Sequence, residues 1–408
     1  MADGADNDWS TCRLDEVIDF NPKETLPKGT DAPYVGMAAL PLNGRWHDEP
    51  VLRAVSSGSR FRDGDTLLAR ITPCLENGKT AQVRGLGRGV VGWGSTEFIV
   101  MRAKPGLADP DFVYLLARDP GFREYAIQQM TGTSGRQRVP TESIASFEVS
   151  PPALNEQRRI AKVLGALDDA VEASRSLIAV LEAGIQGEAA AVLHSAGEET
   201  QLLTDIAAIV NGYSYKSSEL VDDSDTAMVN LKNFGRHGGF RLDGLKPFDG
   251  APKPAQVLVS GDAMVAKTDL TQSAEVIGRC LRMPALPQFE SYVASVDIAI
   301  VRSKGQLPQL ALCALLAQAE FRDHCLGFVN GTTVLHMSKA ALETYTLPVL
   351  EAGQVAALTT RVEALAAQQD RTLVELYHLQ QMRDFLLPRL ISGELRVAAA
   401  EELVEAAT

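Results

Sequence analysis

Few residues in this 408-residue chain stand at spacings that could do chemistry. Gly78-Lys79-Thr80 ends like a phosphate-binding loop, but the G-x-x-x-x-G-K-[ST] spacing puts its leading glycine where Pro73 stands. No ATP site of that kind is expected. Gly85 to Gly94 is glycine-rich yet does not present G-x-G-x-x-G between a strand and a helix, as a dinucleotide site requires. Asp109-Pro110-Asp111-Phe112 has the outline of the acidic-Pro-aromatic tetrapeptide that holds a flipped base for methyl transfer. No glycine-rich cofactor loop precedes it and a helical pattern follows at once, so it reads as a helix start with Asp109 as cap and Pro110 in the first turn. The five cysteines are an odd number without a C-x-x-C pair, and His324 beside Cys325 points elsewhere on a helix. Neither a disulfide framework nor a metal site is indicated, and the thiols read as buried in a reducing compartment. No Ser/His/Asp or Cys/His constellation is visible. By elimination the chain reads as a binding or assembly protein.

The elements that would position a binding surface come from a long internal repeat. LDEVIDFN from Leu14 is answered by LTDIAAIVN from Leu203, and GDTLLAR at Gly64 by GDAMVAK at Gly261. TEFIVMRAK from Thr96 matches VDIAIVRSK from Val296, and FEVSPP from Phe147 matches YTLPVL from Tyr345. The order is kept at a period far longer than the 20–50 residues of a solenoid repeat, which means a duplicated domain. Alternating runs such as TLLARI and EFIVMR predict strands, and Asp111–Met130 and Gln309–Phe328 predict one helix in each copy. Each copy is thus a mixed α/β globule.

After each globule a proline-marked exit leads into a long segment read as free of interior proline. Leu164, Leu167, Val171, Ser174, Ile178, Leu181 and Ile185 alternate in steps of four and three. Val355, Leu358, Val362, Leu365, Gln369, Thr372, Leu376 and Leu379 do the same. Either stripe alone could lie on a globular core. Two stripes at equivalent places are better explained by pairing, and the intervening globule lets them run antiparallel with the globules at opposite ends. No apolar run approaches the ~20 residues that span a bilayer, and the acidic start MADGADNDWS lacks the basic and apolar pattern of a secretion signal. The expectation is a cytoplasmic protein without membrane contact.

Net charge is −13, yet residues 50–140 carry 13 Lys/Arg against 8 Asp/Glu, and residues 228–282 carry 8 against 5. These are either ordinary fluctuations or two binding faces on an acidic frame.

Two globules each followed by a heptad helix, with GDTLLARITPCLENGKTAQV, GDAMVAKTDLTQSAEVIGRC, PPALNEQRRIAKVLGALDDAVE and a closing LLPRLISGELRV, resemble the DNA-specificity (S) subunit of type I restriction-modification systems. The likeness covers roughly residues 9–397. It implies an α+β, or mixed α/β, fold of two tandem target recognition domains separated by two long antiparallel coiled-coil helices. The implied segments are recognition domain 1 over 1–152, helix 1 over 153–196, recognition domain 2 over 197–350, helix 2 over 351–397 and an acidic C-terminal tail over 398–408. The family implies a non-catalytic subunit that reads bipartite double-stranded DNA in phage defence and binds no cofactor itself. It docks two adenine-N6 methyltransferase (M) subunits, which bring S-adenosylmethionine, and translocase-nuclease (R) subunits, which use ATP and Mg²⁺. The second helix entry, Leu350-Glu351-Ala352-Gly353-Gln354, departs from Asn155-Glu156-Gln157 and puts equal docking of M at both ends in doubt. A DNA methyltransferase or nuclease with its own site, a protein-only coiled-coil scaffold, and a DNA-targeting subunit of a related methyltransferase-based defence system are the alternatives.

Reading sequence needs Arg, Lys, Asn, Gln, Ser or Thr at base edges, with more Lys/Arg on phosphates. Aligning the repeats puts Arg70 on Lys267 and Gly78-Lys79 on Gly278-Arg279, so each copy has a cation at a strand end and another after a glycine. Thr268, Thr271 and Gln272 lie between them in the second copy. In the first, the loop Gly132-Thr133-Ser134-Gly135-Arg136-Gln137-Arg138 matches Asn330-Gly331-Thr332-Thr333. Thr72, Arg84, Lys232 and Asn233 complete the candidate DNA contacts. For any one of these residues a solvated turn with incidental charge is an equal alternative. The residues expected to pack helix on helix are Leu164, Leu167, Val171, Ile178, Leu181, Leu358, Val362, Leu365, Leu376 and Leu379.

Overall fold

The structure is a computed structural model that describes residues 9–133, 135–236 and 238–407. Ser134 of the candidate loop lies outside them. Contacts divide the chain into two units, residues up to Glu172 with those from Leu379 onward, and Ala173–His378. The division falls inside the long helices, not at the globule–helix junctions expected from sequence. The cause is local packing: Ile160, Leu164 and Leu167 share one core with Leu386, Leu387 and Leu390, whereas Ala189, Leu358 and Val362 belong to another.

In the first unit, apart from the short pair Cys12–Arg13 with Glu148–Val149, the strands are β1 (Ile18–Phe20), β2 (Asp31–Val35), β3 (Val51–Ala54), β4 (Arg60–Phe61), β5 (Thr66–Ala69), β6 (Thr80–Gln82), β7 (Gly92–Gly94) and β8 (Phe98–Ala103). They form one sheet in the order β1-β8-β5-β6 and a second in the order β3-β2-β7-β4. In the second unit, β9 (Ala207–Asn211), β10 (Thr226–Val229), β11 (Lys246–Pro247), β12 (Val257–Leu258), β13 (Ala263–Ala266), β14 (Cys280–Arg282), β15 (Ser291–Ala294) and β16 (Ile298–Ser303) form sheets β9-β16-β13-β14 and β11-β10-β15-β12. Each strand of the second copy is the eighth after its counterpart. Even the parallel pair recurs, β2 with β7 and β10 with β15. Duplication is therefore a property of the topology as well as of the sequence. β5 and β13 are buried along their whole length, which is why they read as continuous apolar runs.

The repeated Gly-Asp begins these central strands. Gly64 and Gly261 turn the chain at φ +90° and +93°, where a side chain would strain the backbone. The aspartates that follow are buried. Asp65 accepts from the Arg62 N–H at 2.7 Å and Asp262 from the Val259 N–H at 2.9 Å, closing both turns. Arg102 on β8 donates to both Asp65 oxygens at 2.7 Å, and Arg302 on β16 to both Asp262 oxygens at 2.8 and 2.6 Å. Lys104 and Lys304 close the same strands on the Asp15 and Thr204 carbonyls, each at 2.6 Å.

Each predicted single helix is a pair. α1 (Pro110–Arg118) ends where Asp119 caps α2 (Pro120–Gln128), because a residue before proline is driven out of the helical region. In the second copy α4 (Gln309–Leu316) and α5 (Ala319–Leu326) break without a proline, at Gln318, whose amide donates to the Gln186 and Ala314 carbonyls. Asp109 does cap α1, accepting from the Asp111 and Phe112 N–H groups.

The long helices are α3 (Leu154–His194) and α6 (Ala352–Ser392). Contrary to the sequence reading, α6 contains a proline, Pro388, close to its end. In the second unit the helices run antiparallel. A Cβ on Gly184 would meet Leu365 Cδ1 at 3.5 Å, Arg361 Nη1 donates to Glu188 Oε2 at 2.7 Å, and Gln354 Nε2 donates to Ser195 Oγ at 3.1 Å. In the first unit Arg383 Nε donates to Asp168 Oδ1 at 2.7 Å. Leu164, Leu167, Val171, Ile178, Leu181, Leu358, Val362 and Leu376 are buried, while Leu365 and Leu379 are partly so. Because Leu164, Leu167, Leu358 and Val362 sit in cores that include the globules, the stripes pack on them as well as on helices.

Two further observations bear on the expectations. Where an acidic C-terminal tail was expected over 398–408, the described residues form helix α7 (Val397–Ala407), with Val397 and Ala400 buried in the first core and Glu401 paired to Arg159 at 2.6 Å. Helix α3 contains a stretch of mean hydropathy 1.4, so by length and composition it could cross a membrane, contrary to the expectation from uninterrupted apolar runs. Charges such as Asp168 and Glu188 interrupt those runs, and both pair with α6.

Removing one member of a buried ion pair costs up to about 3–5 kcal/mol when it leaves an uncompensated charge; Arg302 would keep only the Ala255 and Val257 carbonyls, whereas Arg102 would keep Glu24 at 2.6 Å, so the larger loss is expected for Asp262. Asp65→Ala is expected to speed hydrogen exchange in β8, and Asp262→Ala in β16, each with earlier unfolding in urea. The exposed Asp223→Ala serves as reference. If the two buried substitutions match it, the pairs do not hold the sheets.

Candidate nucleic-acid interface

The candidate residues gather where β5 and β13 end. The Arg70 N–H donates to the Glu97 carbonyl at 3.0 Å, and its own carbonyl accepts from Val139 at 2.9 Å. Lys267 does the same with Asp297 and Met337, each at 2.8 Å. Thr72 donates its N–H to the Gln137 carbonyl and Ile71 bridges Arg138, so the 131–138 loop is tied to this end of the first sheet. In the second copy Thr268–Asp269 pairs with Leu335–Met337. The glycine-cation equivalence also holds. Gly78 and Gly278 have φ of +76° and +75°, and the carbonyls of Lys79 and Arg279 accept from Ala69 and Ala266, each at 3.1 Å.

Side chains divide the candidates. Lys79 Nζ donates to the Met37 carbonyl at 2.8 Å, and Arg279 donates to the Glu275 and Arg236 carbonyls at 2.7 and 2.8 Å. Arg138 clasps Glu97 through Nε and Nη2, the closest contact being 2.7 Å, and its hydrogen bonds hold the Glu97 carboxyl below its ordinary range against the opposing effect of burial. Lys267 Nζ donates to Asn211 Oδ1 at 2.8 Å, and burial lowers its pKa. Thr72 donates to Glu76, and Thr271 to Asp269, both at 2.8 Å. Gln272 is exposed, with its amide on the Thr332 carbonyl at 2.8 Å.

Two candidates are corrected by burial. Asn233 is fully enclosed, accepting from the Asn230 N–H and donating to the Arg241 carbonyl, each at 2.8 Å, so it shapes its turn. Thr268 is buried and donates to Asp297 Oδ1 at 2.8 Å. Arg84 lies after β6, away from the Lys79 end of that strand, and stacks 4.3 Å over Trp46, whose ring also carries Arg45 at 4.5 Å. Arg136 and Lys232 are exposed and, among the described residues, have no side-chain partner; Gln137 is half-buried.

A cleft of about 510 Å³ at this end of the first unit goes beyond what the sequence predicts. Arg60 and Lys23 line it with Arg70. The missing signal is one of distance, since Arg60 sits on a two-residue strand of the other sheet and no repeat partner marks it.

This arrangement, two copies of a mixed sheet fold each presenting polar loops at one sheet end and joined to long helices, defines a duplicated α/β scaffold. Residues 6–183 match the model of the type I restriction modification DNA specificity domain. The chain is 32% identical over 158 residues to the type I restriction enzyme EcoEI specificity subunit of Escherichia coli, and 30% identical over 165 residues to the EcoAI specificity subunit of the same organism. Each match covers 37% of this chain and about a quarter, 26%, of the relative's length. The crystal structure of the type I restriction-modification system S subunit from M. genitalium shares the fold, with a TM-score of 0.55 at 14% identity over 96% of this chain and 98% of that one.

The Glu97–Arg138 pair yields a pH prediction. A carboxyl whose folded pKa lies below its unfolded value, near 4.3, stabilises the fold above that value and loses the contribution as pH falls through the folded pKa. The stability difference between wild type and Glu97→Gln is therefore expected to be full near neutrality and to shrink below about pH 4.3. Urea midpoints across that range measure it; a difference independent of pH would show that the pair does not stabilise the fold through its charge.

Proposed function

We propose that the chain is the non-catalytic DNA-specificity subunit of a type I restriction-modification complex, reading a bipartite double-stranded target with one half-site per recognition domain. The observation that carries this is the duplication itself: one framework twice, with different side chains at corresponding sheet ends. Arg138 on Glu97 in one copy stands against Thr268 on Asp297 in the other. Unlike readers on a like frame suit two unlike half-sites. In this reading two M subunits dock on the helices and supply S-adenosylmethionine, R subunits bring ATP and Mg²⁺, and the complex works in the cytoplasm. The protein-only scaffold and the subunit of a related methyltransferase-based defence system make different predictions for DNA.

Co-expression with an adenine methyltransferase subunit is expected to give a complex of one chain with two M, by mass on size exclusion, and a two-part methylated motif by methylome sequencing. A complex that forms without shifting DNA points to the scaffold. Methylation by the chain alone overturns the proposal.

The helices would set the spacer between half-sites. Four residues added after Leu181 and four after Ala367, where the antiparallel register brings the helices together, lengthen the pair by ~6 Å. At ~3.4 Å per base pair, the spacer is expected to grow by one or two base pairs with both half-sites kept. An unchanged spacer in an active complex assigns the distance elsewhere.

A further inference from the structure

We propose that the cleft at the end of the first sheet is a phosphate-binding site; this rests on the DNA-reading function above and names the part of the duplex it takes. β1 ends beside it, β4 runs along it, and β5 delivers Arg70 into it. Lys23, Arg60 and Arg70 supply three cations, with Ser59 and Thr96 between them. The Nε atoms of Arg60 and Arg70 are buried and, among the described residues, have no hydrogen-bond partner. Arg60 has one contact from its fork, Nη2 to the Leu26 carbonyl at 3.3 Å.

The neighbouring carboxylates are already taken. Glu24 accepts from Arg62 and Arg102, each at 2.6 Å, and Glu97 is clasped by Arg138. Three cations thus face the cleft with their local anions neutralised by other arginines. A guanidinium fork fits the oxygens of a phosphate, which can accept several donors at once. A guanine edge accepts a single such fork, whereas a phosphate group accepts from several cations at once.

The second copy lacks the device. The strand matching β4 has Val257 where Arg60 stands, and Lys267, which matches Arg70, is held by Asn211. Asn21, the asparagine that closes the first strand of the first copy, instead accepts from the Val100 N–H at 2.9 Å and leaves Arg70 free. The same sheet end therefore grips backbone in one copy and is self-satisfied in the other.

The test uses the full chain, a short random-sequence duplex across a KCl series, and inorganic pyrophosphate as free probe. The R60A/R70A variant is expected to flatten the plot of log K against log salt by about one to two, near 0.9 for each phosphate the variant no longer neutralises. R60K/R70K, which keeps the charges, should retain most of the slope, and K339A, an exposed lysine elsewhere, should change nothing. Pyrophosphate should raise the melting temperature of wild type at matched ionic strength but not that of R60A/R70A. Melting temperatures in chloride separate a lost site from a lost fold. An unchanged slope and a retained pyrophosphate shift in R60A/R70A overturn the site while leaving DNA reading intact. A wild type that binds no duplex but keeps a pyrophosphate shift abolished by R60A/R70A supports the site, assigns its phosphate to a free ligand and removes the DNA reading instead.

Discussion

Two buried aspartates fix the entry of the central strand in each of the two units. A buried carboxylate is tolerated only when it is paired and hydrogen-bonded, and Asp65 and Asp262 meet that condition with an arginine fork on one side and a turn N–H on the other. The pair ties the entry of each central strand to its neighbour. Once the entry is fixed, four strand residues at ~3.3 Å each determine where Arg70 and Lys267 emerge. The positions of Arg70 and Lys267 are thus set from the opposite end of the strand.

This explains why the most visible repeated motifs are structural. Gly-Asp and the Arg-x-Lys ending of the last strand recur because both copies need the same clamp, and Arg102, Lys104, Arg302 and Lys304 are all spent inside it. The copies diverge at the strand ends. Glu97 and Asp297 occupy corresponding places, yet one holds an arginine and the other a buried threonine.

The duplicated α/β plan, the two long helices and the strand-end equivalence of Arg70 with Lys267 are legible because period and pattern survive in the sequence. Partners are not. Nothing about Asn233 in the sequence distinguishes a base reader from a side chain that closes its own turn, and only burial does so. Lys79 and Arg279 occupy the expected backbone positions but turn their charges onto carbonyls of loops remote in sequence. Arg60 lies outside any motif because its significance depends on a sheet crossing. Helix ends depart from the periodic pattern where one residue rules, as at Asp119 before Pro120, and in the last helix the acidic residues mask the spacing of Val397, Ala400 and Val404 that seats it on the core.

The charge pattern follows from the same division between satisfied and free groups. Electrostatic affinity for DNA comes from cations placed on phosphates, so a basic segment counts only for the cations its own fold leaves free. Arg138, Lys79, Lys267 and Arg279 are engaged internally, while Arg60 and Arg70 keep unpaired donors and Arg136 and Lys232 stand exposed. The net charge of the chain around them is −13. What sets the two units apart is therefore which cations at their sheet ends remain unpaired, not the number of cations in each segment.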